Sequence, residues 1–468
     1  MRLAAILVAL LTVAQAPSAP LAATRVINGH FKAGGARYEY LPFEVSAGTE
    51  SLTLSYSYSG DDGASVIDLG LFEPGPLTLG TPAFRGYSGG AQRTITVGRN
   101  NASPGYRSGP LPVGQWHVLL GMYRVAPAGV DVQVKISEAK DDPALRTETA
   151  AAARAAMLPV ESPRRWYSGA LHLHTRHSDG TLTPSAVADL ARAAGLDFIV
   201  ITDHNNTTHE REPMPASPLY IAGEEVTTPG GHATVWGLPE GAWIDFRVSP
   251  RAPGAVDAVN SLVATAHQAG ALFAISHPID TCGGCSWEQV IPDGVDAVEI
   301  WQNDKAPRAA GVAFWDRLLL DGRRVTAVGV SDWHRPASPI DASTVRVLAD
   351  RLSPPAILDA IRQGHVVVMR DARTETPEVQ ARCGSADAGV GEALTCAVGD
   401  ELDVRVGMKD QREGRVDFIW NAARMTTRTI GRGTTFAMPA GNGYLRVHLY
   451  AADGSPLAIT NPIYVSTR

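Results

Sequence analysis

Histidines and carboxylates recur at one kind of place through the middle of this sequence. His172 and His174 stand two apart in Ala170-Leu171-His172-Leu173-His174, an apolar run that reads as a strand. Side chains two apart on a strand share a face, so both imidazoles can reach one cation. Asp179 follows in Ser178-Asp179-Gly180, where the chain leaves that strand. Further on come Asp203-His204-Asn205, Gly223-Glu224-Glu225, His232 in Gly231-His232-Ala233, Ser276-His277-Pro278 and Ser331-Asp332-Trp333-His334. A lone pair of such residues means little. Their recurrence at one strand end after another is the arrangement in which barrel enzymes build active sites. So many carboxylates and imidazoles cannot be buried together cheaply without cations. Two or three divalent ions would leave a positive centre that draws in an anion. They would lower the pKa of a coordinated water from 15.7 toward about 7 and clamp both oxygens of a phosphoryl displacement.

Softer candidates surround this set. His177 sits in the same His-rich turn and would donate a proton to a leaving group. Lys305 and Arg335, with Arg308, follow strands or loops that carry the candidate ligands and would meet an anionic substrate. Glu299, mid-strand in Val298-Glu299-Ile300-Trp301, would support a metal-bound histidine from behind. His30, His117, His209, His267, His365 and His448 lie outside the pattern.

These residues need elements to hold them. From Trp166 to Arg370, apolar runs alternate with helical patterns, and Thr183-Pro184 is a good helix start: a hydroxyl cap before proline at the first helical position. Gly195 is a good stop. Repeated βα units with continuous apolar strands argue a parallel sheet covered by helices, most simply a barrel. Before it the period is two: Leu52, Leu54, Tyr56 and Tyr58; Trp116, Val118, Leu120 and Met122; Val130, Val132, Val134 and Ile136. Short alternating segments broken by turns argue an antiparallel β-sandwich. After it, Val404 and Val406, Phe418 and Trp420, and Leu445, Val447 and Leu449 alternate again. The expected organisation is multidomain: a β-sandwich over 24–138, an Ala-rich helix and linker over 139–165, a central α/β domain over 166–372 and a small C-terminal β domain over 373–468.

The first 23 residues read as a secretory signal peptide: Met1-Arg2, an apolar run from Leu3 to Val13, then small residues. The run is shorter than the roughly 20 apolar residues that span a bilayer. The chain is therefore expected to be exported, periplasmic or secreted, without membrane insertion. In an oxidising compartment, Cys282/Cys285 and Cys383/Cys396 are expected as disulfides, with zinc the lesser reading for the first pair. Over 468 residues the formal net charge is −7, and Lys and Arg form no run. That argues against a nucleic-acid partner and leaves a small, anionic molecule as the expected one. Oligomeric state is not legible.

Taken together, His172-x-His174 with Ser178-Asp179-Gly180, then Asp203-His204-Asn205, Glu224, His277-Pro278 and Asp332-x-His334, resemble the PHP (polymerase and histidinol phosphatase) domain. Gly223-Glu224-Glu225-Val226, Gly231-His232-Ala233 and Trp236-Gly237 are similar to its exported, carbaryl-hydrolase-like branch. The likeness covers about residues 166–370. It extends more weakly to the N-terminal region through Phe72-Glu73-Pro74 and Gly114-Gln115-Trp116-His117. It implies a distorted (βα)7 barrel holding two or three divalent ions, zinc, manganese or iron. By that likeness His172, His174, Glu224 and Asp332 would hold one ion. Glu224 would bridge to a second ion completed by His277 and His232, and Asp179, His204 and His334 would hold a third. Some members carry histidine where this chain has Asp179, and an oxygen ligand there suits zinc less well. The expected activity is metal-dependent hydrolysis of phosphoesters. The alternatives are hydrolysis of aryl carbamates or carboxylic esters, for which Trp236, Trp301 and Trp333 would line an aromatic cleft, and a non-catalytic, metal-stabilised binding protein.

Overall fold

The computed structural model describes residues 24–140, 164–248, 253–280, 284–303, 306–409, 413–431 and 433–468. The expected signal peptide, nearly all of the Ala-rich linker, Cys282 and Lys305 lie outside them.

The alternating N-terminal segments form two four-stranded antiparallel sheets. One runs Arg25–Phe31, Val130–Ala139, Ser51–Tyr58 and Thr94–Gly98; the other runs Tyr38–Val45, Gly114–Arg124, Val66–Phe72 and Phe84–Gly89. Their inward residues, among them Leu52, Leu54, Leu69, Leu71, Trp116, Val118 and Val134, are buried in one core. Each such side chain contributes roughly 1.5–3 kcal/mol when fully buried.

The central region does not show a regular (βα)7 repeat, since two neighbouring pairs of its strands run antiparallel. Its strands belong to one 15-stranded sheet in the order Thr326–Val330, Ala297–Gln302, Leu272–Ser276, Gly231–Trp236, Leu219–Thr228, Phe198–Ile201, Arg165–Ala170, Thr344–Ala349 and Val366–Met369. Four α-helices stand among the described residues: Pro184–Ala193, Ala255–Gln268, Ala309–Leu320 and Pro354–Arg362. Connection length explains the departure. Only Pro229 and Gly230 separate Thr228 from Gly231, so the strands on either side pair antiparallel. A parallel crossover needs a dozen residues or more. The first helix begins as expected: Thr183 Oγ1 accepts the Ala186 N–H at 3.2 Å, and proline follows the cap. None of the described helices is long and apolar enough to cross a membrane.

The sheet does not stop at the C-terminal strands. Val366–Met369 pairs antiparallel with Pro456–Thr460, and the ladder continues through Gly443–Ala451 and Gly414–Trp420. Asn461 pins this junction: its amide donates to the Ala327 and Val366 carbonyls at 2.9 and 3.0 Å and accepts the Ala327 N–H at 2.8 Å. Cys383 and Cys396 form a disulfide with Cα atoms 5.6 Å apart.

Candidate metal centre

Turns that leave the sheet carry the candidate ligands. Past Arg165–Ala170 the chain stays extended, and Leu173 bridges to Trp333, which leaves His172 and His174 on one face. His204 bridges to Glu225, His277 follows Leu272–Ser276, and Asp332 follows Thr326–Val330. The exits are sharp: Asn205, His277 and Asp332 have φ of 51°, 28° and 45°. Such values cost non-glycine residues on the order of 1–2 kcal/mol each, a cost borne only where the surroundings dictate the turn. Gly180 permits a close approach, since a Cβ there would lie 2.5 Å from the His174 carbonyl oxygen.

The carboxylate at the centre is Glu225, and Glu224 is not part of it. Neighbours on a strand point to opposite faces, so only one of the two can meet the histidines. Glu224 points the other way, where its Oε2 accepts the Ile244 N–H at 2.8 Å. Burial pushes its carboxyl well above the usual carboxylate range. Glu225 Oε2 lies 3.2 Å from His172 Nε2, 3.3 Å from His174 Nε2 and 2.9 Å from His204 Nδ1. Its Oε1 lies 3.0 Å from His232 Nδ1 and 3.1 Å from His277 Nε2.

Three groups of donors result. In the first, His172 Nε2 and His174 Nε2 are 3.1 Å apart, and Asp332 Oδ1 lies 3.3 and 3.1 Å from them. With Glu225 Oε2 these atoms give five separations of 3.1–3.3 Å. Four ligands about 2.0–2.1 Å from a tetrahedral ion stand roughly 3.3–3.4 Å from one another, and these five separations are close to that spacing. Glu225 Oε2, though buried, makes no well-directed hydrogen bond, as expected of an oxygen aimed at a cation. The second group is Glu225 Oε1 with His232 and His277. The third sets Asp179 Oδ1 3.3 Å from His334 Nε2, 3.6 Å from His204 Nε2 and 3.7 Å from His174 Nδ1. Mixed imidazole and carboxylate donors fit divalent metal ions. The sulfur of Cys285 stands within 4.8 Å of the His232 and His277 donors. It is disulfide-bonded and has no thiolate to offer.

Without ions, protons must balance these carboxylates. Burial works against a charged His204, but Glu225 and Asp179 outweigh it and push its pKa up to about 10. His172 is likewise raised, against burial, by Glu225, Glu299 and Asp332. His174 goes the other way: burial, then His334 and His204, lower it to about 4. Burial would raise Glu225 and Asp332, yet the surrounding histidines hold both well below the carboxylate range.

Outer partners orient the donors. Glu299 Oε1 lies 2.8 Å from His172 Nδ1, and its Oε2 accepts the His277 N–H at 2.8 Å. Gln302 Nε2 donates to Asp332 Oδ2 at 2.6 Å. Asp203, buried, accepts the Thr175 N–H, the Thr175 hydroxyl and the Ser178 hydroxyl, each at 2.7 Å. It thereby ties down the turn that carries His177 and Asp179.

The expected catalytic residues divide. His177 is outside the cluster: its Nδ1 accepts the Gly105 N–H at 3.2 Å and its Nε2 lies 2.8 Å from Glu212. Nδ1 thus meets the N-terminal region and Nε2 a carboxylate of the central region, and neither ring nitrogen is recorded against the candidate ligands. Arg335 is exposed and adjoins His334. Arg308 lies 3.5 Å from Asp280.

No family model matches the chain, and no curated protein does. Among solved structures, it is similar to a two-domain protein from Bacteroides vulgatus described as containing a predicted PHP-like metal-dependent phosphoesterase. That likeness has 16% identity, covers 65% of this chain and 97% of the other, and has a TM-score of 0.37. It is also similar to an amidohydrolase from Chromobacterium violaceum with bound sulfate and no metal, at 18% identity, 37% and 89% coverage and a TM-score of 0.26. Likenesses this weak decide nothing about this chain's chemistry, which is taken below from its own residues.

Proposed function

We propose that this protein is an exported, metal-dependent hydrolase of phosphoesters, with zinc, manganese or iron held by His172, His174, Asp179, His204, Glu225, His232, His277, Asp332 and His334. One observation carries the proposal: both oxygens of a single buried carboxylate, Glu225, face imidazole nitrogens from five histidines. A structural site is usually closed by four ligands. Here the donors outnumber that and include an open edge, with the Asp179 side chain 46% exposed. Bound divalent ions would supply Lewis acidity and an acidified water.

The protein's own groups supply the rest. Gln302 and Glu299 hold Asp332 and His172 in place, which keeps the donor geometry ready before substrate arrives. The Asp332 carbonyl lies 2.8 Å from His334 Nδ1 and accepts its proton, which leaves Nε2 as the free donor. Arg335, exposed and next to His334 in sequence, would offer an incoming phosphate a permanent positive charge. The carbamate and ester alternative drew on an aromatic cleft. Trp236, Trp301 and Trp333 are each at most 1% exposed and belong to the core, so that support is withdrawn.

The test is turnover of p-nitrophenyl phosphate against p-nitrophenyl acetate by metal-loaded protein. Phosphate-ester hydrolysis that a chelator abolishes and added metal restores is expected. No turnover of the phosphate ester under metal loading overturns the proposal.

A further inference from the structure

The N-terminal sheets are packed against the central domain, and their contact reaches the metal centre. Phe72, Phe84, Tyr87 and Leu119 share a core with Val235, Trp243 and Phe246. The Phe84 and Trp243 rings are 4.8 Å apart, and the Tyr87 and Phe246 rings 4.6 Å. Polar contacts register the two parts: Tyr38 Oη donates to the Phe246 carbonyl at 3.2 Å, and Arg247 Nη1 donates to Tyr40 Oη at 2.6 Å. This is a packed seam rather than a loose tether, so a side chain projecting across it is supported on both sides.

One side chain crosses to the ligands. Tyr123, near the end of Gly114–Arg124, places its hydroxyl 3.1 Å from His232 Nε2. The other nitrogen of that ring, Nδ1, faces Glu225 Oε1 at 3.0 Å. The hydroxyl is boxed in from the far side by Gly284, where a Cβ would lie 2.3 Å from it. A neutral imidazole carries one proton. If Nε2 donates it to Tyr123 Oη, the lone pair on Nδ1 is turned toward Glu225 and an ion shared with it. No other described residue is recorded at His232 Nε2 within hydrogen-bond distance.

We propose that Tyr123 is a positioning residue of the metal centre: a hydroxyl supplied by the N-terminal sandwich that sets the tautomer and tilt of His232 for the ion it shares with His277 and Glu225. This rests on the metal-dependent reading above. It gives the sandwich a part in the chemistry, since the centre is incomplete without a residue from it.

The experiment uses the full chain and zinc alone. Zinc is titrated into metal-free wild type, Tyr123→Phe and His232→Ala in competition with a chromophoric chelator, and the 15N shifts of His232 report its tautomer. The expected result is that Tyr123→Phe weakens one ion by 10- to 100-fold, the range for loss of an outer partner. The remaining ions should be unaffected, and His232 should lose its single Nε2–H tautomer. Gly284→Ala, which displaces the hydroxyl without removing it, should give the same selective loss and guards against a folding artefact in the first variant. A Tyr123→Phe titration superimposable on wild type, while His232→Ala loses an ion, overturns the positioning role alone. A wild type that takes up no stoichiometric zinc overturns the metal reading and this proposal with it.

Discussion

Exchanging one carboxylate for its amide at two adjacent positions separates the two faces of the strand Leu219–Thr228. In Glu225→Gln the group removed faces five imidazole nitrogens at 2.9–3.3 Å. Removing one partner of a buried charge pair costs about 3–5 kcal/mol. At about 1.36 kcal/mol per decade, metal affinity should fall by roughly two to four decades at the ions Glu225 serves. Glu224→Gln should do almost nothing to them. The amide keeps an oxygen for the Ile244 N–H, and burial already disfavours charge on the carboxyl it replaces. The stability change has a definite sign. A carboxyl whose folded pKa is raised is protonated in the fold but ionised in the unfolded chain above its ordinary pKa. Its cost therefore grows as pH rises from the ordinary value, 4.5, toward the raised one. Glu224→Gln should accordingly stabilise the protein more at pH 8 than at pH 5. The assays are metal content after dialysis, chelator competition, and melts at the two pH values. Metal loss in Glu224→Gln with retention in Glu225→Gln would refute the facing assigned to this strand.

Metal uptake should release protons near neutral pH, because carboxylates hold His172, His204, His277 and His334 above their ordinary pKa in the metal-free protein. Affinity should thus rise from pH 6 to pH 9, and titration heats should differ between buffers of unlike ionisation enthalpy; buffer-independent heats would contradict this. Asn461→Ala takes the side-chain partner from the buried N–H and carbonyl of Ala327, while the Val366 carbonyl keeps the backbone N–H of residue 461. At about 1–3 kcal/mol for each of these two groups, urea denaturation should show a loss of roughly 2–6 kcal/mol, with the slope of the transition unchanged.

The candidate site was legible wherever a side chain's direction followed from its own strand. His172 and His174 needed only the period of two. Glu299 behind His172 was likewise visible, as a carboxylate in an otherwise apolar strand. Glu224 and Glu225 were not separable from their own segment, because both are glutamates. The turn was the available signal: Pro229-Gly230 as a two-residue loop pairs Thr227 with His232, and Glu225, two residues from Thr227, must then share the face of His232. Gln302 was hidden for another reason. It stands three residues from Glu299, an odd spacing that should oppose them, but the strand shifts register between Glu299 and Trp301. A bulge of that kind brings both to one side, and no pattern of residue types announces it. His177 lies among donors in sequence, yet its turn brings its Nδ1 to the Gly105 N–H. Sandwich strands such as Val130–Ala139 were legible because one face is wet. An all-parallel arrangement was expected because continuous apolar strands look alike whether their neighbours run parallel or antiparallel.

The unbroken ladder between Val366–Met369 and Pro456–Thr460 makes the last strands a seal on an edge rather than an appendage. All four residues of Val366–Met369 are buried. A chain ending near residue 372 would expose that run as an unpaired, uncharged strand, the kind of template on which a second chain adds itself. Shortening this protein from its C-terminus should therefore yield self-association before it yields a smaller hydrolase.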